Sequence, residues 1–222
     1  MNIGIILARG DSKSIKLKNI IKLNDKPLLF YSLNALNKSN KIDKIILSTD
    51  HKKIKDFALS LNYSKLKIFD RNKINARDSA SSESALNELF EYYNFQDSYN
   101  IIFVQATSPL ITATDLNIAL KSFDNNNYDS LFSGVRLKRF IWNNNIKPIN
   151  YDFRKRPRRQ EFKGIIVENG AFYIFRSKNY KHYKNRLHGK IGFHEMSPEN
   201  FHELDEKIDL EIIKSIIKFK KK

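Results

Sequence analysis

Short apolar runs alternate with helical patterns along most of the chain. Ile3-Gly4-Ile5-Ile6-Leu7-Ala8 is continuous and apolar, the mark of a strand buried on both faces. A polar loop follows, from Arg9 to Lys18. Asn24-Asp25-Lys26-Pro27 then signals a helix start, with Pro27 suited to the first turn and Leu29, Leu33 and Leu36 at helical spacing. Ile45-Ile46-Leu47 predicts a second strand, Ile54 to Leu61 a second helix, and Leu66 to Phe69 a third strand. Ala85, Leu86, Leu89, Phe90 and Tyr93 mark one helix face, and Ile101 to Val104 a further buried strand. Thr112-Ala113-Thr114-Asp115 has the form of a capping box, and Leu116, Ala119, Leu120 and Phe123 continue on one face. Ser130 to Val135 and Ala171 to Phe175 read as strands, and Ile208 to Ile217 as an amphipathic helix. This alternation predicts an α/β fold of right-handed βαβ units, with a mostly parallel central sheet and helices on both faces.

The rhythm breaks between Leu137 and Gly164. That stretch holds many arginines, Trp142 and two prolines, with little helix signal. It is too long for a plain connector inside a compact domain, and is read as an excursion serving as a dimerisation arm. The asparagine runs at 125–127 and 143–145 are turn-prone. No internal repeat or clean linker divides the chain. Residues 1–222 are therefore expected to form one domain with an arm at about 137–164.

Composition narrows the picture. Hydrophobic residues make up 41% of the 222 positions, enough for a sizeable core. No apolar run approaches the ~18 residues of a membrane span. The first run stops at Arg9 with no basic stretch before it, so no secretory signal is expected. Cysteine is absent, which excludes disulfides, thiolate catalysis and Cys-based zinc sites and fits a cytoplasmic protein. The formal charge of +16 puts nucleic acid among the partners to weigh. Lys, Asn and Ile share AT-rich codons, however, so base composition alone would give this bias. In either case a positive field would attract a triphosphate or an acidic sugar.

In open parallel sheets, ligands sit beyond the carboxyl ends of the strands. The loop leaving the first strand runs Ala8-Arg9-Gly10-Asp11-Ser12-Lys13-Ser14-Ile15-Lys16-Leu17-Lys18-Asn19. It lacks the Gly-Lys-Ser/Thr of a Walker loop and the G-x-G-x-x-G of a dinucleotide fingerprint. It still has parts that suit a triphosphate. Gly10 and Ser12 permit a tight turn with inward amides, Arg9 offers a planar fork, and Lys18 a compact charge. The bland alternative is an exposed basic loop in a lysine-rich chain.

The loop resembles the signature A-R-x-x-S-K-x-x-x-x-K-N of CMP-sialate synthetases, the acylneuraminate cytidylyltransferases. Further motifs follow in order: Ser48-Thr49-Asp50; Asp78-Ser79-Ala80-Ser81-Ser82, beginning seven residues beyond Arg71; and Gln105-Ala106-Thr107-Ser108-Pro109. Arg156-Pro157-Arg158-Arg159-Gln160 and Glu168-Asn169-Gly170-Ala171-Phe172-Tyr173 are similar to the family's R-P-R-R-Q and E-N-G-x-x-Y. The resemblance implies a Rossmann-like nucleotidyltransferase fold and transfer of CMP from CTP to a nine-carbon α-keto acid sugar, with release of pyrophosphate.

By match to these motifs, Ala8, Arg9, Ser12, Lys18 and Asn19 would hold the phosphates and ribose, while Arg71, Ala80 and Ser82 would frame the cytidine. Gln105, Thr107, Ser108, Asn169 and Tyr173 would face the sugar, with Arg158 and Arg159 offered to its carboxylate or to a catalytic charge. Lys18, Arg9 and Arg158 are the expected catalytic cations. Gln105 and Tyr173 compete with a reading as core-edge polar groups. The run from Arg154 to Arg159 competes with one as a nuclear-localisation or nucleic-acid patch.

The resemblance also implies Mg²⁺, placed by a D-x-D motif. Here that stretch reads Glu203-Leu204-Asp205, with Asp209 one turn on, so Glu203 departs by one methylene. Asp11, Ser14 and Lys16 depart where the family carries Gly or Asn, Gly, and Pro. A carboxylate at Asp11 near phosphates asks for a metal or Lys13 beside it. His51, His182, His188, His194 and His202 lack metal spacing and are expected to be surface or core residues. The expected partners are CTP, an acidic nine-carbon sugar and a second copy of the chain, with no nucleic acid or membrane. The alternatives are a CMP-Kdo synthetase, a basic nucleic-acid-binding protein without catalysis, and a silent homologue acting as a binding subunit.

Overall fold

Residues 1–12 and 14–220 are described by a computed structural model. Lys13, weighed above as a counter-charge for Asp11, lies outside them, as do Lys221 and Lys222 of the terminal lysine run. In chain order the elements are β1 (Asn2–Leu7), a small hairpin of β2 (Lys22–Leu23) and β3 (Lys26–Pro27), α1 (Leu28–Lys38), β4 (Lys44–Thr49), α2 (Lys52–Ser60) and β5 (Leu66–Asp70). Then come α3 (Ser82–Tyr93), β6 (Asn100–Gln105), α4 (Ala113–Asn125) and β7 (Ser130–Leu137). The chain finishes with β8 (Ile165–Arg176), α5 (Ser177–Tyr183), β9 (Ile191–Met196) and α6 (Lys207–Lys220).

Seven strands form one sheet in the order β5-β4-β1-β6-β8-β7-β9. β8 runs antiparallel to β6 and β7, and the remaining pairs are parallel. The expected α/β fold with a mostly parallel sheet is therefore present. Alternation along the strands sorts their side chains onto two buried faces. Ile6, Ile45, Leu47, Ile102, Val104 and Phe172 pack with α1, α2 and α4, through Leu33, Leu36, Ile54 and Leu120 among others. Ile5, Ile46, Ile101, Phe103, Tyr173 and Phe175 pack with α3 and α5, through Leu86, Leu89, Phe90 and Tyr180. Burying each such large side chain stabilises the fold by about 1.5–3 kcal/mol. Gly4 is needed where α1 crosses β1: a Cβ there would stand 2.7 Å from Leu36 Cδ2.

A third cluster matters for function. Ile213 and Ile217 of α6 pack on Ile15, Leu23, Leu28, Leu110 and Leu204. It ties the loop after β1, the segment after β6 and the Glu203–Asp205 stretch to one apolar knot. Three distant parts of the sequence are thereby held at one end of the sheet.

Local signals are realised with small shifts. Thr112 and Asp115 form the expected capping box, Thr112 Oγ1 accepting from Asp115 N at 3.2 Å and Asp115 Oδ2 from Thr112 N at 3.0 Å. Pro27 stands just before α1 rather than in its first turn, because it closes the β2–β3 hairpin. The second helix starts earlier than its apolar pattern, at Lys52, since His51 caps it by accepting from Lys53 N at 3.2 Å. β9 and α5 had no clear signal. β9 mixes His194 and Glu195 into an edge strand, and α5 is seven residues long with only Ser177 and Tyr180 buried.

The excursion is a long loop at the tip of the β7–β8 pair, whose last partners are Leu137 and Ile165. Gly164 closes it at φ 78°, where a Cβ would meet Leu137 O at 2.6 Å, so no side chain fits. Inside it, Phe140 stacks with Tyr151 at 4.2 Å and Phe162 at 4.9 Å, and Arg156 sits 4.3 Å over the Phe140 ring. Trp142, Ile146, Ile149 and Phe153 remain exposed.

Candidate active site

β1, β4 and β6 run parallel, so their carboxyl ends open on one side, and the motif loops meet there. The loop after β1 is pinned by two side chains. Gly10 N donates to Asp50 Oδ1 at 2.9 Å, and Asn19 Nδ2 donates to Arg9 O at 2.8 Å. A Cβ on Gly10 would lie 2.5 Å from the His51 ring, so glycine lets the two loops touch. Ser48 acts beside them. Arg71 Nε donates to Ser48 Oγ and Arg71 Nη2 to Ser48 O, both at 3.0 Å. Burial lowers the Arg71 guanidinium to about 10, so it is still charged at neutral pH. The Ser-Thr-Asp motif thus positions the first loop and Arg71.

The second wall is the amino end of α3. Ser81 caps it, its hydroxyl accepting from Ser84 N at 3.0 Å, and Ala80, Ser81 and Ser82 line the cavity. Free amides at a helix start favour anionic groups. Arg9 Nη2 reaches Asp78 Oδ1 at 2.7 Å, joining this wall to the first loop.

The third wall carries the acids. Lys18 Nζ donates to Leu204 O at 2.9 Å and to Asp205 Oδ1 at 3.1 Å. Leu204 N donates to Thr107 O at 2.9 Å, and Ser32 Oγ to Gln105 O at 3.1 Å. The Glu203 carboxyl is pushed above its usual value, first by burial and then by the negative charge of Asp205.

Together these walls enclose a cavity of about 350 Å³. Arg9, Ser12, Lys18, Asn19, Arg71, Ala80 and Ser82 line it, as do Gln105, Thr107, Glu203 and Asp205. Ala8 does not: it is fully buried, and its amide donates to Ser48 O at 2.9 Å. Five further polar lining residues, Asp11, Asn75, Arg77, Asp78 and Ser81, were not among the expected site residues. Asp11 and Asp78 stand in motif segments, whereas Asn75 and Arg77 belong to a short 3-10 turn and its cap with no motif to mark them.

Five expected sugar-side residues stand elsewhere. Asn169 is buried with its amide used by the protein: Oδ1 accepts from Ser133 Oγ at 2.8 Å and Nδ2 donates to Asn200 O at 2.9 Å. The Tyr173 hydroxyl, on a 5% exposed residue, donates to Glu168, and burial drives the phenol well above its ordinary range. Ser108 is also buried, and its hydroxyl has no partner among the described residues. Arg158 and Arg159 are exposed on the excursion and do not line the cavity. Their placement has one physical reason: strand alternation and the arm's departure from the sheet decide side-chain direction, which linear motif order does not encode.

The donor set suits a hard divalent cation, which takes few carboxylates together with water and phosphate oxygens. Among the described lining residues, Arg9, Lys18, Arg71 and Arg77 face Asp11, Asp78, Glu203 and Asp205. The formal charges of these lining groups cancel. No three such ligands converge into an all-protein cage among the described residues. None of the five histidines lines the cavity.

A three-walled nucleotide-sized cavity at the carboxyl edge of this sheet is the arrangement of a Rossmann-like nucleotidyltransferase. Solved structures carry the same fold. A CMP:2-keto-3-deoxy-manno-octonic acid synthetase complexed with CTP superposes with a TM-score of 0.70 over 99% of both chains, at 15% identity. A 4-diphosphocytidyl-2C-methyl-D-erythritol synthase from Anaerococcus prevotii gives 0.68 over 98% of this chain and 96% of that one, at 12% identity. The chain belongs to the cytidylyltransferase family, whose profile matches residues 3–221. N-acylneuraminate cytidylyltransferase A of Danio rerio is 35% identical over 212 residues, 92% of this chain and 48% of that protein. Pseudaminic acid cytidylyltransferase of Campylobacter jejuni is 34% identical over 186 residues, 80% of this chain and 79% of that protein. The chain spans about half the length of the fish relatives it matches. The motif resemblance to acylneuraminate cytidylyltransferases is thereby borne out.

Proposed function

We propose that the protein transfers CMP from CTP to the anomeric hydroxyl of a nine-carbon, sialic-acid-like α-keto acid sugar and releases pyrophosphate. The observation that carries this reading is the shared cavity: Arg9, Lys18 and the amino end of α3 face Gln105, Thr107 and the Glu203–Asp205 acids across about 350 Å³. The relatives named above act on sugars of this class, whereas likeness to the octonic acid synthetase is one of fold.

The anomeric oxygen attacks the α-phosphorus while the bond to the pyrophosphate oxygen breaks. Such transfers ask the protein for alignment and charge neutralisation. Lys18, paired with Asp205, would neutralise the α- and β-phosphates, and Arg9, paired with Asp78, would supply a fork at the opposite wall. Asn19 and Asp50 hold the loop backbone that carries both. Of the lining residues, Ala80, Ser82 and Arg71 would bound the cytidine, and Gln105 and Thr107 the sugar. Asp205 and Glu203 would hold Mg²⁺, which supplies charge neutralisation on the phosphates when bound. The family is consistent with a divalent metal, and Mg²⁺ is our choice because the available ligands are oxygens.

Arg158 and Arg159, outside the cavity of their own chain, would serve the site of a second one. We accordingly read the protein as a cytoplasmic homodimer in which each excursion crosses to its partner. No helix among the described residues is long and apolar enough to cross a membrane. Purified protein with Mg²⁺ and CTP is expected to release pyrophosphate only when such an acid is added. A panel of N-acetylneuraminate, legionaminate, pseudaminate and Kdo identifies the sugar. Release with Kdo alone, or with none of the four, defeats the reading.

A further inference from the structure

Outside the cavity lining, one guanidinium pairs with a carboxylate of α3 and lies over two rings. Arg186 lies in the loop between α5 and β9. Its Nε donates to Glu83 Oε1 at 2.7 Å, and its Nη2 reaches the same oxygen at 2.6 Å. Its Cζ lies 4.8 Å from the Tyr173 ring centroid and 5.2 Å from that of Phe103. The Arg186 side chain is only 18% exposed. Glu83 stands in the first turn of α3, directly after the lining residue Ser82. Phe103 is two residues before the lining residue Gln105, on the same face of β6. Tyr173, paired in register with Phe103, is faced by Glu168 and Glu203 as well as by Arg186.

We infer that Arg186 is a positioning residue for the nucleotide site: by holding and neutralising Glu83, it keeps a carboxylate from opposing a polyanion at the amino end of α3. This rests on the reading of the cavity as a CTP site. The geometry separates the charge role from a purely structural one. The start of α3 has two other ties, the Ser81 cap and the bond from Tyr180 Oη to Glu83 O at 3.2 Å. Without Arg186 those ties remain, and what is lost is the counter-charge. An unpaired Glu83 beside Ser82 then repels the phosphates and competes for the amides that should face them. Arginine suits the task because its planar head pairs with a carboxylate while stacking on aromatic faces.

The test is calorimetric binding of CTP and of uncharged cytidine to the full chain. Arg186→Leu is expected to weaken CTP about tenfold and cytidine less than about twofold, the split that a like charge near a polyanion produces. The CTP deficit is expected to shrink in about 0.5 M salt, where exposed charges are screened. Arg186→Lys, which keeps the charge, should stay within about threefold of wild type, and adding Glu83→Gln to Arg186→Leu should restore CTP to about the same margin. Should Arg186→Leu not unfold cooperatively, Arg186→Gln takes its place with the same expectation. Equal losses for CTP and cytidine, no loss of CTP, or no recovery in the double variant overturns the inference alone. A wild-type protein that binds no CTP overturns both the inference and the site reading on which it rests.

Discussion

Around the cavity, Arg9 is held by Asp78 and Lys18 by Asp205, whereas along residues 138–164 nine Lys and Arg stand against two acids, and none forms an ion pair among the described residues. The first group is ordered by the chain itself. Arg9 and Lys18 each have a carboxylate within hydrogen-bonding reach, and the loops beneath are tied to one another through Asp50, Asn19 and Leu204. Little reorganisation is then needed when phosphates arrive, which is what electrostatic catalysis asks of a site. The excursion is ordered differently. Its shape comes from rings, with Phe140 between Tyr151 and Phe162, and its arginines face outward. A site can be complete within one chain, but an exposed basic arm with Trp142 and Phe153 uncovered gains partners only from outside it.

That contrast predicts unequal effects. Lys18→Ala should cut turnover about a hundred- to a thousandfold, the usual cost of one donor to developing charge. Its melting temperature should move by only a few degrees, because the replacement leaves the Leu204 side chain in its apolar knot. Near-normal turnover would remove Lys18 from the chemistry and erase the difference between the two regions.

The arm should give the next largest effect. The protein is expected to scatter light as a dimer at micromolar concentration. Arg159→Ala should lower turnover about tenfold or more while leaving CTP affinity unchanged, the behaviour of a group that meets only the acceptor or the transition state. Mixing Arg159→Ala with Lys18→Ala chains should recover part of the activity, because one composite site is then intact. A monomer, or a mixture with no recovery, would confine the arm to its own chain.

The smallest effect concerns the acid pair. Glu203 titrates above its usual value in the folded chain, so the fold holds that proton more tightly than the unfolded chain does. Stability is therefore lost as pH rises from about 4.5 through the raised value, and the penalty is complete above it. Without metal, Glu203→Gln should raise the melting temperature at pH 7 by less than about 4 °C, with the advantage vanishing below the ordinary carboxylate range. An advantage that persists at low pH would mean that packing, not charge, separates Gln from Glu.

The strand and helix alternation, the capping box at Thr112 and the β1-loop motif were legible because they are local: period, cap and loop residues lie within a few positions of one another. So was the excursion, from its length and its missing period. β9 was not, since an edge strand pairing on one side needs no continuous apolar run. Asn169 and Tyr173 were placed near the sugar by motif order, yet the register of β8 with β6 and β7 turns both inward to Ser133 and Glu168.

The amino-acid order by itself determined the fold class, the family and the segments that meet at the carboxyl edge of the sheet. Hydrophobic period and short motifs are written in neighbouring residues. Only the tertiary structure decided that Leu204 pins two acids beside Lys18, that Ser48 and Asp50 serve Arg71 and Gly10, and that Arg186 faces Glu83. Those pairs are separated by 23 to 186 residues, and chain folding, not local preference, sets which of them touch.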